Sequence, residues 1–493
     1  MVLRIILISF FSWASFSNAQ NRYVATTSMG GDDTNTGTLT SPFATVNKAL
    51  SVMSSGDTCI IREGHYNEEV LIDGKNDIVI MPYMNEWVVF DGTEAVQSNW
   101  TIYSGNIYKT VLNKPIWQLF VDQKEMVMAR WPNGNFLDKS IYNWDSWASG
   151  IVDSANGFPN GSYNGFELVD STKKDLGSTG LNLTGAIGIM NVGSFKTFNR
   201  EIISHNPQDN FFSYNTIPNN TYRDKHHHFF VEGKLELLDQ PNEWFYDTTS
   251  MTLYLYPDNG QNPYGRSISG KVQDYAFTIT NSTDVKIKNI YFFATTFFAK
   301  SSDNLLIEEC HFSFPNCSKR MLRKYDVAPN VSTFGQPGSA NEVHNSVISK
   351  CLFEYTDGEA LRVYGDSNVI ENCYMQYIDY SVSELPFLMV GVYFSGDANK
   401  FLHNTVHDAA ASAFLAPGTT PEFAFNDVWS TGALQSDGSV YQGTSATVQN
   451  SLIHHNYIHD TPKYALRFDA PGGDPGQAGQ YGNMHHNIAV RTN

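Results

Sequence analysis

Two aspartates, Asp437 in QSDGSVYQG and Asp469 in YALRFDAPGG, bracket a stretch that also holds Lys463, Arg467 and the pair His459-Asp460. Charge this dense inside an apolar rhythm of buried strands marks a candidate site. Paired carboxylates suit glycosidic hydrolysis: one acid protonates the leaving oxygen while the other attacks or activates water. Lysine, arginine and histidine suit a second chemistry, β-elimination of a uronate. There a base abstracts a proton while a cation, often Ca²⁺, neutralises the substrate carboxylate. The third reading is non-catalytic, a carbohydrate-binding or adhesin surface.

The scaffold that must position these groups is legible from an internal repeat. DVKIKNIYF, NLLIEECHF, NSVISKCLF, NVIENCYMQ, KFLHNTVHD, FAFNDVWS, SLIHHNYIHD and NMHHNIAV align at Ile290, Cys310, Cys351, Cys373, Asn404, Asn426, Asn456 and Asn487. The steps are 20, 41, 22, 31, 22, 30 and 31 residues, one solenoid turn of about 22 residues with loop additions. The Cys and Asn positions are predicted to stack as an internal ladder, which makes Cys310, Cys351 and Cys373 structural thiols rather than disulfides. A further strand per coil stacks as ALRVYG, GVYFSG, AFLAPG, SVYQGT and ALRFDA. Alternation puts Leu361, Val392, Phe414, Val440 and Leu466 inside. It puts Arg362, Tyr393, Leu415, Tyr441 and Arg467 in one outer file, and Tyr364, Ser395, Pro417, Gly443 and Asp469 in the next. Such a face reads as a groove gripping a sugar chain, with Arg362, Tyr364, Tyr393, Tyr441, Gln442, Lys463, Arg467 and His459 as substrate contacts.

Two stretches frame the repeat. Upstream, Ser41 and Pro42 predict the start of a short helix with Phe43, Val46, Leu50 and Met53 on one face. Between about 95 and 265, aromatic-rich alternating strands separated by turn residues predict an inserted, sandwich-like antiparallel subdomain. His226-His227-His228 lies in it; three adjacent side chains on a strand do not converge on one ion, so an exposed strand start is expected. The organisation is thus residues 20–94 as cap and first coils, 95–265 as insertion, and 266–493 as the groove-bearing solenoid. More coils are expected beyond Asn493, because an uncovered solenoid edge invites aggregation.

The first twenty residues, MVLRIILISFFSWASFSNAQ, have a charged start, an apolar centre and a small-residue cleavage site. They read as a secretory signal, residues 1–19, with no cysteine following for lipidation. No later stretch is long and apolar enough for a membrane span, so the mature chain is expected to be secreted or periplasmic. A formal charge of −18 argues against nucleic acid and anionic membranes as partners.

GDDTNTGTLTSPFATVNKAL followed by GDTCIIREGHY resembles the capped first coil of right-handed parallel β-helix proteins of the pectate-lyase-like class. DGSVYQG, HHNYIHD and LRFDAPGG in succession resemble the β-helix enzymes grouped as glycoside hydrolase family 141. The resemblance implies an all-β right-handed parallel β-helix that hydrolyses a plant or algal polysaccharide or oligosaccharide through Asp437 and Asp469. It departs from the family at Ser439, where a second glycine is usual, and at Arg467-Phe468-Asp469-Ala470, where paired acids are usual.

Geometry sets a condition on that pair. Straight strands place Asp437 and Asp469 about 16–20 Å apart, against about 5–9 Å for working carboxylates. A bulge or turn at 436–439 must close the gap; Glu384 and Glu359 are the reserve partners. Lys463 and Arg467 lie about 13 Å apart along one strand, too far for one proton-abstraction site, which makes Arg467 a substrate clamp. No protein metal site is expected. Asp366 and Asp397 in matching GDSN and GDAN turns could ligate Ca²⁺ but read first as turn formers.

Overall fold

The computed structural model describes residues 19–96, 99–152, 166–168, 176–191, 195–210, 212–214, 228–258, 260–324, 328–382, 384–385, 389–435, 437–444, 448–469 and 478–492. Residues 1–18 of the expected signal segment, His226 and His227 lie outside these residues. His228 opens the strand His228–Glu232 and stacks on Trp144, 3.9 Å between ring centres.

The repeat folds as an all-β parallel β-helix with three faces, of 13, 10 and 9 strands. Each coil contributes one short strand to each face, paired in parallel with the coils before and after it. The core is a continuous column of inward aliphatic and aromatic side chains, among them Phe90, Phe292, Phe312 and Phe353, whose rings stack 4.7–6.1 Å apart.

The ladder residues sit at the corner between the 13- and 10-stranded faces. At each corner the preceding residue is left-handed: Asn289, Glu309, Lys350, Asn372, His403, Phe425, His455 and His486 all have φ of 52–58°. Most of these residue types pay for that conformation, and after the first corner, where Ile290 follows, a Cys or Asn holds each corner in place. Asn404 Oδ1 accepts from the Cys373 N–H at 2.8 Å, Asn426 Oδ1 from the Asn404 N–H at 2.9 Å, and Asn456 Oδ1 from the Asn426 N–H at 3.0 Å. All five cysteines are buried free thiols; those at 310, 351 and 373 donate to the carbonyl two residues upstream.

The upstream helix spans Val46–Val52, and its cap is Thr45, whose hydroxyl accepts from the Lys48 N–H. Ser41 and Pro42, expected to start it, precede the cap. Asp33 explains the shift: its carboxylate accepts from the N–H groups of Ala44 and Thr45 at 2.9 and 3.0 Å and fixes the entry turn.

Between the first coils and the rest, strands Thr93–Ala95 and Ile268–Lys271 pair antiparallel, so the chain leaves and rejoins the solenoid side by side. The intervening segment forms sheets of four, five and seven strands, antiparallel except where Val127–Met128 pairs parallel with Glu243–Asp247. It packs against loops of the later coils: Ile187, Ile189 and Phe230 share a buried cluster with Val382, Leu385, Met389 and Leu434.

Candidate functional site

On the 9-stranded face the pairing runs Leu361 to Val392, Val392 to Leu415, Leu415 to Tyr441 and Tyr441 to Leu466. The expected register is therefore wrong by one residue on two coils. Leu415 and Tyr441 belong to the inner file, and the outer file is Arg362, Tyr393, Ala416, Gln442 and Arg467. Tyr441, expected to touch substrate, is 0% exposed and donates its phenol to Ser451 at 2.9 Å. Phe414-Leu415 and Val440-Tyr441 are all apolar and all buried, so alternation alone gave no unique register.

The corrected register brings Gln442 and Arg467 side by side. Arg467 donates to Asp437 Oδ1 at 2.6 Å through one terminal nitrogen and reaches Asp469 Oδ2 at 2.8 Å through the other. Both carboxylates touch one rigid planar cation, which caps the separation of these two oxygens at about 8 Å. The separation expected from straight strands is therefore overturned. The cause is the turn before Ser439: Gly438 has φ 113°, and an added Cβ there would strike the Ser412 carbonyl. Ser412 Oγ donates to the Asp437 carbonyl at 2.6 Å, and the Gly438 N–H donates to Asp437 Oδ1 at 2.8 Å. Asp469 lies past the last paired residue of Tyr464–Phe468 and accepts from Gln442 Nε2 at 3.2 Å. Ser439 Oγ in turn donates to Gln442 Oε1 at 2.6 Å.

Lys463 also converges here, although strand spacing set it apart from Arg467. It is 3% exposed and donates to the carbonyls of Gln435 and, at 3.2 Å, Asp437. Gly432 leaves room for its stem; a Cβ would collide with it. Burial pushes its ammonium down to about 7, opposed by Asp437. Lys463 is thus a buried brace under the Asp437 turn, not an exposed substrate contact.

The insertion reaches the same place. Asn191 Nδ2 donates to the Leu434 carbonyl at 2.9 Å and to Gln435 Oε1 at 3.0 Å, and Gln435 Nε2 donates to Thr197 Oγ1 at 2.5 Å. Neither Asn191 nor Thr197 carries a sequence signal, because the contact spans more than 230 positions.

Other expected residues fall elsewhere. Glu384 is held by Arg200 at 2.7 Å and by the Asn199 N–H at 2.9 Å, both from the insertion. Glu359 pairs with Arg362 and is buried, which raises its carboxyl. Its strand lies three spacings from that of Asp437, about 14 Å, so Glu359 is no partner for Asp437. Tyr364 and Tyr393 lean on each other at 5.6 Å beside Arg362. His459 is on the 10-stranded face, stacked on Trp429 and bonded to Asp460 at 2.7 Å, as His407 is to Asp408 at 2.8 Å. It lies within the strand Tyr457–Thr461 and also bonds Asp427 at 3.2 Å, whereas the two acids flank strands of the 9-stranded face. Asp366 and Asp397 serve turns: Asp366 Oδ1 accepts from the Asp397 N–H at 2.7 Å, and Asp397 Oδ1 from Thr420. Among the described residues no three His, Cys, Asp or Glu side chains are arranged to hold a metal ion. No helix among them is long and apolar enough to cross a membrane.

A second polar cluster is buried in the joint between insertion and solenoid. Glu125 accepts from Gln118 and from Tyr380, both at 2.8 Å, and burial pushes its carboxyl up to about 8. Beside it Arg320 pairs with Glu232 at 2.6 Å. The cluster lines a cavity of about 30 Å³, too small for a sugar.

Residues 29–75 match a family described as a protein of unknown function, DUF1565. No curated protein matches the chain. Among solved structures, one titled "Glycoside hydrolase" is similar over 96% of both chains, with a TM-score of 0.69 at 14% identity. "The complex structure of XylC with xylose" covers 90% of this chain and 69% of its own at TM-score 0.45 and 15% identity. "Crystal structure of pectate lyase Pel9A" covers 97% and 78% at TM-score 0.41 and 8% identity. At 14% identity the likeness to the first of these is one of fold.

Proposed function

We propose that the protein is an exported glycoside hydrolase acting on a polysaccharide or oligosaccharide, with Asp437 and Asp469 as its two carboxylates. The observation that carries this reading is the single guanidinium of Arg467 contacting both acids. An oxygen separation of at most about 8 Å is compatible with two carboxylates that work on one glycosidic bond. The fold-level likeness to a structure titled "Glycoside hydrolase" is consistent with it.

The roles follow from the surroundings. Asp437 receives the Gly438 N–H and one arm of Arg467, which stabilise its anion, so it is the nucleophile or base. Asp469 follows the last paired residue of its strand, and among the described residues its carboxylate meets Arg467 and accepts a long bond from Gln442. It gives up Arg467 to an incoming sugar hydroxyl, takes a proton from water, and delivers that proton to the leaving oxygen as the general acid. Gln442, fixed by Ser439, keeps Asp469 aimed. The test is release of reducing ends from a panel of polysaccharides by wild type, Asp437→Asn and Asp469→Asn. Undiminished hydrolysis in both variants sinks the assignment.

Lys463 favours a second reading, a lyase, because an amine pushed down to about 7 can act as a base. Its burial and its two carbonyl acceptors weigh against contact with substrate. Unsaturated, ultraviolet-absorbing products instead of reducing ends alone would select the lyase. Retained polymer binding without any cleavage would select a non-catalytic binding solenoid.

A further inference from the structure

A cleft of about 470 Å³ opens where the first coils meet the insertion, on the 10-stranded face. Its floor carries Trp87, Tyr291 and His311. Trp87 is 61% exposed and leans on Tyr291, ring centres 5.0 Å apart, while Tyr291 lies 4.6 Å from the His311 ring. His311 is itself fixed by Glu354 at 2.8 Å. The rim is polar: Asp91, held by the Thr93 N–H and hydroxyl at 2.8 and 2.7 Å, faces His65, and Asn67 and Gln123 complete it. A second cavity of about 610 Å³ shares Asn67, Thr93 and Ala95 with the first, so the two form one elongated groove.

We propose that this groove is a second, non-catalytic saccharide site that holds an uncharged stretch of polymer, with Trp87 and Tyr291 as its platform. The choice of a sugar as occupant rests on the carbohydrate reading above. The lining supplies what a pyranose needs, an aromatic surface for its C–H face and fixed acceptors and donors for its hydroxyls. Among the described residues the 470 Å³ cleft is lined by no lysine or arginine, and Lys114, which lines the second cavity, is neutralised by Glu94 at 2.5 Å, so the groove is poorly suited to a phosphate or a uronate. Its coil lies five strand spacings from that of Ser439, about 24 Å along the axis. A chain held here is tethered without entering the Asp437–Asp469 site.

The test uses native electrophoresis of the full protein, in the Asp437→Asn background, through gels cast with neutral xylan, neutral β-glucan or polygalacturonate. A neutral polymer is expected to retard the protein. Trp87→Ala is expected to weaken retardation roughly tenfold, with Trp87→Phe intermediate and thermal midpoints unchanged. No retardation in either neutral gel, equal retardation of Trp87→Ala, or retardation by polygalacturonate alone overturns the proposal. Trp87-dependent retardation without hydrolysis by the wild type would remove the proposed activity and leave this site standing. Asp437-dependent hydrolysis without retardation would do the reverse.

Discussion

Arg467 and Asp437 sit on successive coils, 30 residues apart, and meet at 2.6 Å because the chain turns at Gly438 just before the strand Ser439–Gly443. The other arm of the same guanidinium takes Asp469. One cation therefore sets the distance between two acids that belong to different turns of the solenoid.

Removing either acid tests the pair as machinery. Asp437→Asn and Asp469→Asn are each expected to lower kcat roughly 10²–10⁴-fold while leaving the thermal midpoint within a few degrees of wild type. The small stability effect follows from the partial exposure of both side chains. Steady-state kinetics beside thermal unfolding separates lost chemistry from lost fold.

Arg467→Lys retains the charge but cannot bridge two carboxylates with a planar fork. It is expected to lower kcat/KM roughly 100-fold, since small misplacements of reacting groups have costs of that order. Kinetics equal to wild type would show that the bridge does not position the acids.

Tyr441→Phe discriminates between the two strand registers. The phenol is buried and bonded to Ser451, so its loss is expected to destabilise the fold by about 1 kcal/mol and to leave KM unchanged. A raised KM with unchanged stability would put Tyr441 back on the groove. Urea unfolding and Michaelis–Menten kinetics on one preparation decide it.

Glu125 makes the joint between insertion and solenoid sensitive to pH. Burial raises its carboxyl to about 8, so the folded protein keeps a proton that the unfolded chain gives up near the ordinary carboxylate value. This contribution is complete below about 4.5, declines as pH rises toward 8, and is lost above it. Glu125→Gln stays neutral and keeps the shape. The variant is expected to gain stability relative to wild type as pH is raised from 5 to 8, read from thermal midpoints at each pH.

By itself the sequence determined the solenoid. The recurrence of Ile290, Cys310, Cys351, Cys373, Asn404, Asn426, Asn456 and Asn487 carried the coil boundaries, the internal ladder and the free thiols, because after the first corner each takes a small thiol or an amide, and the amides at 404, 426 and 456 bond the preceding coil. It also placed Arg467 on the outer face. The tertiary structure decided the rest. Strands with apolar residues on both faces do not state their own register, so whether Tyr441 or Gln442 lies beside Arg467 depended on pairing with neighbouring coils. Loops of unequal length hid which corner the Asp437 turn would meet, and the contacts of Asn191, Thr197 and Arg200 join segments far apart in the chain. Alternation and spacing are local properties; the distance between two carboxylates on different coils is not.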